Sequence, residues 1–571
     1  MTLDPLDGQR ATVTTTSAST TVADLVASVL ADLGVGHAFG VVGSGNFAVT
    51  NALRARGVPF VAARHEGGAA SMADGYARLS GRPSVLTVHQ GCGLTNAMTG
   101  ITEAAKSRTP VIVLAADTAA AAVGSNFRID QDALVASVGA VAERVHGASS
   151  AFADVVRAYR TAVHGRRTVV LSLPLDVQVA TAALPPSPVR VDAPRPVRPD
   201  TQAVLELVAL MEAAHRPIFV AGRGGRGAGR EIAALAAASG ALLATSAVAN
   251  GLFAGQEFDL GISGGFSSPL TVELITGADL VVGWGCALNM WTMRHGSLVA
   301  TGTKVVQVDD DLAAIGAHRR VDLGVVGDCA STAVDALDAL DPLSGTGRRG
   351  YRTREVAARL AEHRWWNDTP TPDLTGPDAT GTQRIDPRVL TARLDRILPT
   401  ERVVAIDSGN FMGYPSTYLR VPDELGFCFT QAFQSIGLGL ASGIGAALAQ
   451  PGRLTVVGTG DGGFVMGISE LETAVRLGLP LLVVVYDDAA YGAEVHHFGG
   501  SADELAPVTF PDVDLATVAR GYGAHGVTVR ALADLEPVRQ WALDPQGVMV
   551  VDAKIADDGG AWWLAEAFRG H

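Results

Sequence analysis

GDGGFVMGISELETAVRLGLPLLVVVYDDAAYG, residues 460–492, decides the fold. The apolar run LTVVGTG (454–460) ends in a glycine-rich turn over 458–463, the helical stretch SELETAVRLG (469–478) follows, and a second apolar run, LPLLVVVY (479–486), delivers Asp487 and Asp488. Strand, turn, helix and strand in this order indicate a parallel sheet covered on both faces. Strand ends in an open α/β sheet lie side by side, so the turn at Gly460-Asp461-Gly462 and the two carboxylates are expected to share one site. A glycine turn lets backbone N–H groups approach phosphate, and carboxylates offer oxygen ligands to a hard divalent cation. The pattern therefore predicts a Mg2+–diphosphate anchor. Taken alone, Gly-Asp-Gly is an ordinary tight turn. The second strand, its acidic end and the following Tyr491-Gly492 favour the anchor.

The same alternation runs outward along the chain. HAFGVVG (37–43), PSVLTV (83–88) and TPVIVLAA (109–116) read as buried strands of a first block. RPIFVAG (216–222), DLVVGWG (279–285) and TKVVQVD (303–309) do so in a second, and ERVVAID (401–407) joins the two opening runs in a third. Helical stretches such as TVADLVASVLADLG (21–34) lie between them. The expected fold class is α/β, with three doubly wound parallel-sheet domains. The Pro-rich stretch 185–200 cannot hold regular structure for long. Residues 341–385 mix Gly, Thr, Pro and charge around one helical patch, TREVAARLAEHRWW (353–366). These breaks predict a loose Thr/Ser/Ala-rich N-terminus (1–20), domains at 21–184, 201–340 and 386–571, and linkers at 185–200 and 341–385.

Composition agrees with several large cores: 571 residues exceed one core, 48% are hydrophobic and 18% charged. A net charge of −14, from 44 basic and 58 acidic residues, argues against nucleic acid or an anionic membrane as partner. The four cysteines are scattered without metal-ligand spacing, which predicts reduced thiols. No basic-plus-apolar signal is evident, and no apolar run approaches the ~20 residues that span a bilayer. A cytoplasmic protein is expected.

The 460–492 segment resembles the cofactor motif of thiamine-diphosphate-dependent enzymes, a GDG followed by an Asn pair. The resemblance implies that Asp461, the Asp488 side chain and the Ala490 carbonyl hold Mg2+, while Gly460, Gly462, Gly463, Tyr491 and Gly492 surround the diphosphate. Asp487-Asp488 departs from the usual Asn-Asn or Asn-Asp, and the added negative charge beside a diphosphate predicts a steeper metal dependence. Arg64-His65-Glu66-Gly67-Gly68-Ala69-Ala70 follows the short strand PFVAA and resembles the family's catalytic Glu motif. Without context Glu66 is a solvated helix-start acid, but its Gly and Ala neighbours suit close packing. The resemblance implies that Glu66 hydrogen-bonds N1′ of the aminopyrimidine, which requires a carboxyl kept protonated by burial. In Phe433-Gln434-Ser435-Ile436-Gly437 it makes Ile436 the wedge under a bent cofactor and sets backbone groups of Gln434 and Ile436 against the aminopyrimidine. Ser408, Gly409 and Asn410 close the strand ERVVAID and meet the diphosphate from the other side, with Met412 toward the substrate. Because Glu66 and the metal motif lie in different blocks, the cofactor bridges two domains. In the family these come from different subunits, which implies a homodimer or homotetramer.

The resemblance also implies the reaction. A 2-keto acid is decarboxylated with the cofactor as electron sink; protonation then releases an aldehyde, whereas attack on a second carbonyl forms a C–C bond. Ser44, Gly45 and Asn46 follow HAFGVVG at the expected substrate end. His89-Gln90-Gly91-Cys92-Gly93-Leu94-Thr95-Asn96 is similar to the Gly-Pro-Gly-x-Thr-Asn turn of acetolactate-synthase-like members, with Cys92 in place of Pro. Gln131, in Asp130-Gln131-Asp132, matches a Gln that points at the thiazolium. If a helix starts near 491, Glu494 and His497 share one face at i, i+3 and suit acid–base work, or else form a solvated face. In the central block, the glycine loop 222–227 and Gln307-Val308-Asp309 mark the place where some relatives bind FAD and others bind nothing. The expected activity is acetolactate synthase-like carboligation of pyruvate or a similar 2-keto acid with a carbonyl acceptor. Simple 2-keto-acid decarboxylation with Glu494 as proton donor is the alternative. A silent homologue serving as a binding or regulatory subunit is supported by Asp487-Asp488 alone.

Overall fold

A computed structural model describes residues 20–340, 350–368 and 371–569. The segment expected to be loose, 1–20, lies outside the described residues except for Thr20, as does 341–349 of the second expected linker.

The N-terminal sheet contains β1 (Ala38–Gly40), β2 (Phe60–Ala62), β3 (Ser84–Val88), β4 (Val111–Asp117), β5 (Val141–Arg144) and β6 (Val169–Pro174), in the order β2-β1-β3-β4-β6-β5. The central sheet contains β7 (Pro217–Ala221), β8 (Leu242–Thr245), β9 (Asp259–Ile262), β10 (Leu280–Trp284), β11 (Lys304–Asp309) and β12 (Leu323–Val326), in the order β12-β11-β10-β7-β8-β9. A short antiparallel pair, β13 (Gly376–Pro377) and β14 (Gln383–Arg384), precedes the third sheet. That sheet contains β15 (Arg402–Ile406), β16 (Phe427–Phe429), β17 (Leu454–Gly460), β18 (Leu481–Asp487), β19 (His525–Val529) and β20 (Val548–Lys554), in the order β16-β15-β17-β18-β20-β19. Every neighbour in the three large sheets pairs parallel. The continuous apolar runs are explained by burial on both faces: all residues of β4 and β18 are buried.

The first and third sheets share one strand order, so each has a topological switch point, between β1 and β3 and between β15 and β17. The segments after those strands carry Ser44, Gly45, Asn46, His89, Gln90, Cys92, Ser408, Gly409, Asn410, Met412, Asp461, Gly462 and Gly463, and the segments after β2, β4, β16 and β18 carry the other expected site residues apart from Gly460, the last residue of β17. The two domains are joined by a close helix crossing. Helix Glu66–Ser80 lies on helix Gly439–Ala449, and a side chain on Gly75 would stand 2.5 Å from the Ser442 carbonyl oxygen. A side chain on Gly445 would collide with the Met72 carbonyl. One apolar cluster, including Met72, Leu86, Ile444 and Leu471, runs through both domains; burying a side chain such as Ile444 stabilises by roughly 1.5–3 kcal/mol.

Part of the second expected linker is docked. Helix Arg354–His363 buries Val356 and Leu360 in the core of the central domain, and Arg359 pairs with Glu273 at 2.6 Å. Among the described residues, no helix is long and apolar enough to cross a membrane.

Candidate active site

A cavity of about 470 Å³ opens at the carboxyl ends of β15, β17 and β18. Ser408, Gly409, Asn410 and Met412 line it from the loop after β15, and Gln434 and Ile436 from the loop after β16. Gly460, Asp461, Gly462 and Gly463 line it after β17, and Asp488, Ala490, Tyr491, Gly492 and Glu494 after β18. The glycines answer to close approaches. A side chain on Gly462 would stand 2.6 Å from the Tyr491 ring, one on Gly463 2.5 Å from Asp407 Oδ2, and one on Gly492 would collide with Asp488 Oδ2. Asp407, which sequence reasoning placed only at a strand end, ties three loops together. Its carboxylate accepts from Ser408 N at 2.9 Å, Gly437 N at 3.1 Å and Thr459 Oγ1 at 3.0 Å. Burial pushes it up to about 6 despite these donors. Two non-glycine residues at the cavity loops, Gln434 (φ 62°) and Ala489 (φ 56°), hold left-handed backbone, a strained conformation that persists where the surroundings over-determine it. The loop before Gln434 is gripped from the N-terminal domain: Glu103 accepts from Ala432 N at 3.1 Å and Phe433 N at 2.6 Å, and Arg78 holds Glu103 at 2.7 Å.

The fold places the two adjacent acids differently. Asp487 does not line the cavity, although its charge still acts on Asp461 and Asp488. Its side chain is buried and pairs with Lys554 Nζ at 2.5 Å across the β18–β20 register, where the two residues stand opposite. Lys554 also meets Asp512 at 2.6 Å and Asp552 at 3.2 Å. Asp461 and Asp488 differ: among the described residues neither forms an ion pair. Burial, helped by Asp487, pushes the Asp461 carboxyl up to about 7. Burial and the neighbouring Asp461 hold Asp488 well above the usual carboxylate range. Two desolvated carboxylates without an ion-pair partner among the described residues, beside a glycine turn, fit a divalent cation and a phosphate. No group of three or more His, Cys, Asp or Glu side chains with metal-binding geometry occurs among the described residues, so further oxygens have to come from backbone or ligand.

Glu66 lies elsewhere. The cavity is lined from Ser408 to Phe568, wholly by the third domain, whereas Glu66 opens helix Glu66–Ser80 and accepts from Asn96 Nδ2 at 3.1 Å. Beside it, Ser44 Oγ lies 3.3 Å from His89 Nε2, and Cys92 Sγ lies 3.9 Å from His89 Nδ1. His89 Nδ1 faces the Gln90 carbonyl at 3.0 Å; a carbonyl only accepts, so a neutral His89 carries its proton there and Nε2 accepts from Ser44. This cluster is an open face of the N-terminal domain.

Several expected contacts are used within the protein instead. Asn46 is fully buried, accepting from Gly43 N at 2.8 Å and donating to the Val41 carbonyl at 3.1 Å and Thr87 Oγ1 at 3.2 Å. Gln131 is buried, accepting from Gly91 N at 3.1 Å and donating to the Ala116 carbonyl at 3.2 Å. It props the 89–92 turn, and its amide does not point at an open site. Gln90 is buried against Gly45, where any side chain would collide with its Oε1. His497 does not line the cavity; it stacks on Phe568 at 3.9 Å between ring centroids. The 222–227 loop gives FAD no support. Gly222, Gly224 and Gly225 serve close packing, a side chain on Gly224 standing 2.8 Å from Gly285 Cα, while Arg226 reaches the Glu424 carbonyl at 2.5 Å and Arg223 the Ser107 carbonyl.

Sequence reasoning missed the C-terminal wall. Leu564, Ala567 and Phe568, on and just after helix Trp562–Ala567, line the cavity. Asn410 anchors that segment, its carbonyl accepting from Trp563 Nε1 at 2.8 Å. No local motif marks these residues; only their apolar character hinted at burial.

Comparison with known proteins agrees with this geometry. Family models described as "Thiamine pyrophosphate enzyme" match in three parts: the N-terminal TPP binding domain over residues 20–137, the central domain over 204–340 and the C-terminal TPP binding domain over 407–553. A sulfoacetaldehyde acetyltransferase from Alcaligenes xylosoxydans xylosoxydans is 28% identical over 90% of this chain and 89% of its own length. An acetolactate synthase from Bacillus subtilis is 26% identical over 93% of both. A "Probable 2-ketoarginine decarboxylase" from Pseudomonas aeruginosa is 29% identical over 94% of both. The X-ray structure of a Mycobacterium smegmatis protein assigned to the thiamin diphosphate-dependent enzymes shares the fold, with a TM-score of 0.76, 22% identity and coverage of 94% of this chain and 99% of that one. With three matching domains in the expected order and a cavity lined by a glycine turn and two carboxylates at the switch point of the third, the chain belongs to the thiamine diphosphate-dependent enzymes of the acetolactate synthase-like family.

Proposed function

We propose that this enzyme uses thiamine diphosphate and Mg2+ to decarboxylate pyruvate or a similar 2-keto acid and to join the acyl unit to a second carbonyl, working as a homodimer or homotetramer in the cytoplasm. The observation that carries the reading is the cavity of the third domain, in which Asp461 and Asp488 lack a counter-cation beside a glycine turn. Asp461, Asp488 and the Ala490 carbonyl would hold the metal, and the 460–463 turn the diphosphate. Thiamine diphosphate, when bound, supplies the nucleophilic carbon and the electron sink that the reaction needs. Ile436 and Gln434, which line the cavity, would contact the cofactor's ring system. Glu66 would hold a proton toward the aminopyrimidine on its Oε1, because Asn96 already donates to Oε2. Since Glu66 is not part of the cavity wall of its own chain, a second copy has to present it, together with Ser44, His89 and Cys92. Presented by a second copy, that polar face would add donors and acceptors suited to orienting a carbonyl acceptor beside the apolar wall of Leu564 and Phe568.

A second reading, release of an aldehyde, is favoured by Glu494, an ionisable side chain in the cavity wall able to deliver a proton. Incubation of the protein with Mg2+, thiamine diphosphate and pyruvate, with product analysis, separates the two. Acetolactate or acetoin is expected, whereas acetaldehyde alone would move the assignment to simple decarboxylation. Glu66→Gln is expected to lose at least about 100-fold in turnover while still binding cofactor; near-normal turnover would remove Glu66 from the mechanism.

A further inference from the structure

We propose that Glu470 is a positioning residue for Glu66, a buried carboxylate of the third domain that clamps the backbone on which the Glu66 carboxyl is presented. The proposal rests on the reading of Glu66 given above. Glu470 belongs to helix Ser469–Arg476, which follows directly on the Asp461–Gly467 segment of the phosphate turn. Its side chain does not line the cavity, and the residue is 1% exposed. It points instead into the N-terminal domain. Oε1 accepts from His65 N at 2.9 Å and from Arg64 N at 3.1 Å, and Oε2 accepts from Thr473 Oγ1 at 2.7 Å.

Arg64 and His65 are the two residues before Glu66, at the mouth of its helix, where backbone N–H groups have no partner within the helix. A buried carboxylate that accepts two of them is a strong, directional clamp. Close fit on the other side supports this: any side chain on Gly68 would collide with Glu470 Oε1. The same helix grips the junction again, through Glu472 on Arg64 Nε at 2.6 Å and Arg476 on the Ala62 carbonyl at 2.5 Å. Three contacts from one helix thus fix the short path from β2 to Glu66. A displacement of about 1 Å at a reacting group costs on the order of 100-fold in rate, so the clamp controls proton handling at Glu66 without touching cofactor.

The test uses the full-length protein loaded with Mg2+ and thiamine diphosphate. Exchange of the C2 proton of the bound cofactor into D2O, read by quenched-flow NMR, reports Glu66; calorimetric Kd for the cofactor reports the third-domain cavity. Glu470→Ala is expected to slow C2 exchange by about tenfold or more with Kd changed less than about threefold. Glu470→Gln keeps an oxygen for both N–H donors and is expected to restore most of the rate. A purely structural role would shift thermal stability and leave the exchange rate alone. Wild-type exchange in Glu470→Ala, with slow exchange in Glu66→Gln, overturns this proposal and leaves the reading of Glu66 intact. Wild-type exchange in Glu66→Gln overturns both. If Glu470→Ala does not fold, Gly68→Ala loads the same contact from the opposite side: slowed exchange supports the clamp, and an unchanged rate overturns it.

Discussion

Asp461 and Asp488 show how charge is distributed at the scale of single residues. The chain carries two adjacent acids where Asn-Asn or Asn-Asp is usual, and the fold treats them differently. Asp487 points into the sheet and is neutralised by Lys554, while Asp488 faces the cavity with Asp461. Breaking a buried pair such as Asp487–Lys554 costs about 3–5 kcal/mol, and the pairing shows how the extra acid is accommodated at the end of β18. The raised carboxyls set a pH dependence. Asp461 is raised to about 7, above the value near 4 of an unfolded Asp. Metal-free stability from this site is therefore fully present below about pH 4 and is lost as pH rises through about 7. Cation binding needs the ionised form, so affinity for Mg2+ with thiamine diphosphate is expected to increase with pH over the same window. Thermal unfolding with and without cofactor between pH 5 and 8 checks this: the stabilisation by Mg2+ and cofactor should grow with pH in the wild type, and Asp461→Ala should abolish it. A cofactor-induced shift independent of pH would show that Asp461 is not the titrating ligand.

At the scale of elements, the recurring device is a glycine that lets two backbones approach. Strand periodicity, turn glycines and the helix after β17 follow from local sequence, which is why the loops lining the cavity could be assigned from motif residues such as Gly460, Ile436 and Asp488. The crossing of helices Glu66–Ser80 and Gly439–Ala449 could not. Gly75 and Gly445 read as mildly unfavourable helix residues until the facing carbonyls of Ser442 and Met72 are seen. Gly445→Ala is expected to destabilise the protein by about 1–3 kcal/mol through overpacking against backbone, measured by urea unfolding. A variant within about 0.5 kcal/mol of wild type would mean that the crossing yields easily. Gln131 and Asn46 teach the converse lesson. The sequence reading puts Asn46 at the substrate end of its strand and Gln131 toward the thiazolium, yet each spends its amide on backbone groups of its own domain, because a buried amide must be satisfied.

At the scale of the whole molecule, the central domain acts as a clasp. Arg223 reaches the N-terminal domain and Arg226 reaches the third domain from one glycine loop. The N-terminal and third domains share a core, yet Glu66 does not line the cavity that holds Asp461 and Asp488 in its own chain. The proposal that a site is shared between subunits makes a sharp prediction. Glu66→Gln and Asp461→Ala should each be inactive alone. Mixed under subunit exchange, they should recover about a quarter of wild-type sites, because only the mixed dimer has one site with both groups intact. Absence of recovery, with exchange verified by labelled subunits, would place both groups of a site in one chain.

The sequence by itself determined three parallel-sheet domains, their order and the motif loops, since alternation of apolar runs, helices and turn glycines is encoded within a few residues. Only the tertiary structure decided that Lys554 pairs with Asp487, that Gln131 and Asn46 are struts, that Phe568 walls the cavity and that Glu470 holds the backbone of Arg64 and His65 before Glu66. Those outcomes depend on which distant side chains meet in a desolvated interior, where each buried charge and amide must find its partner.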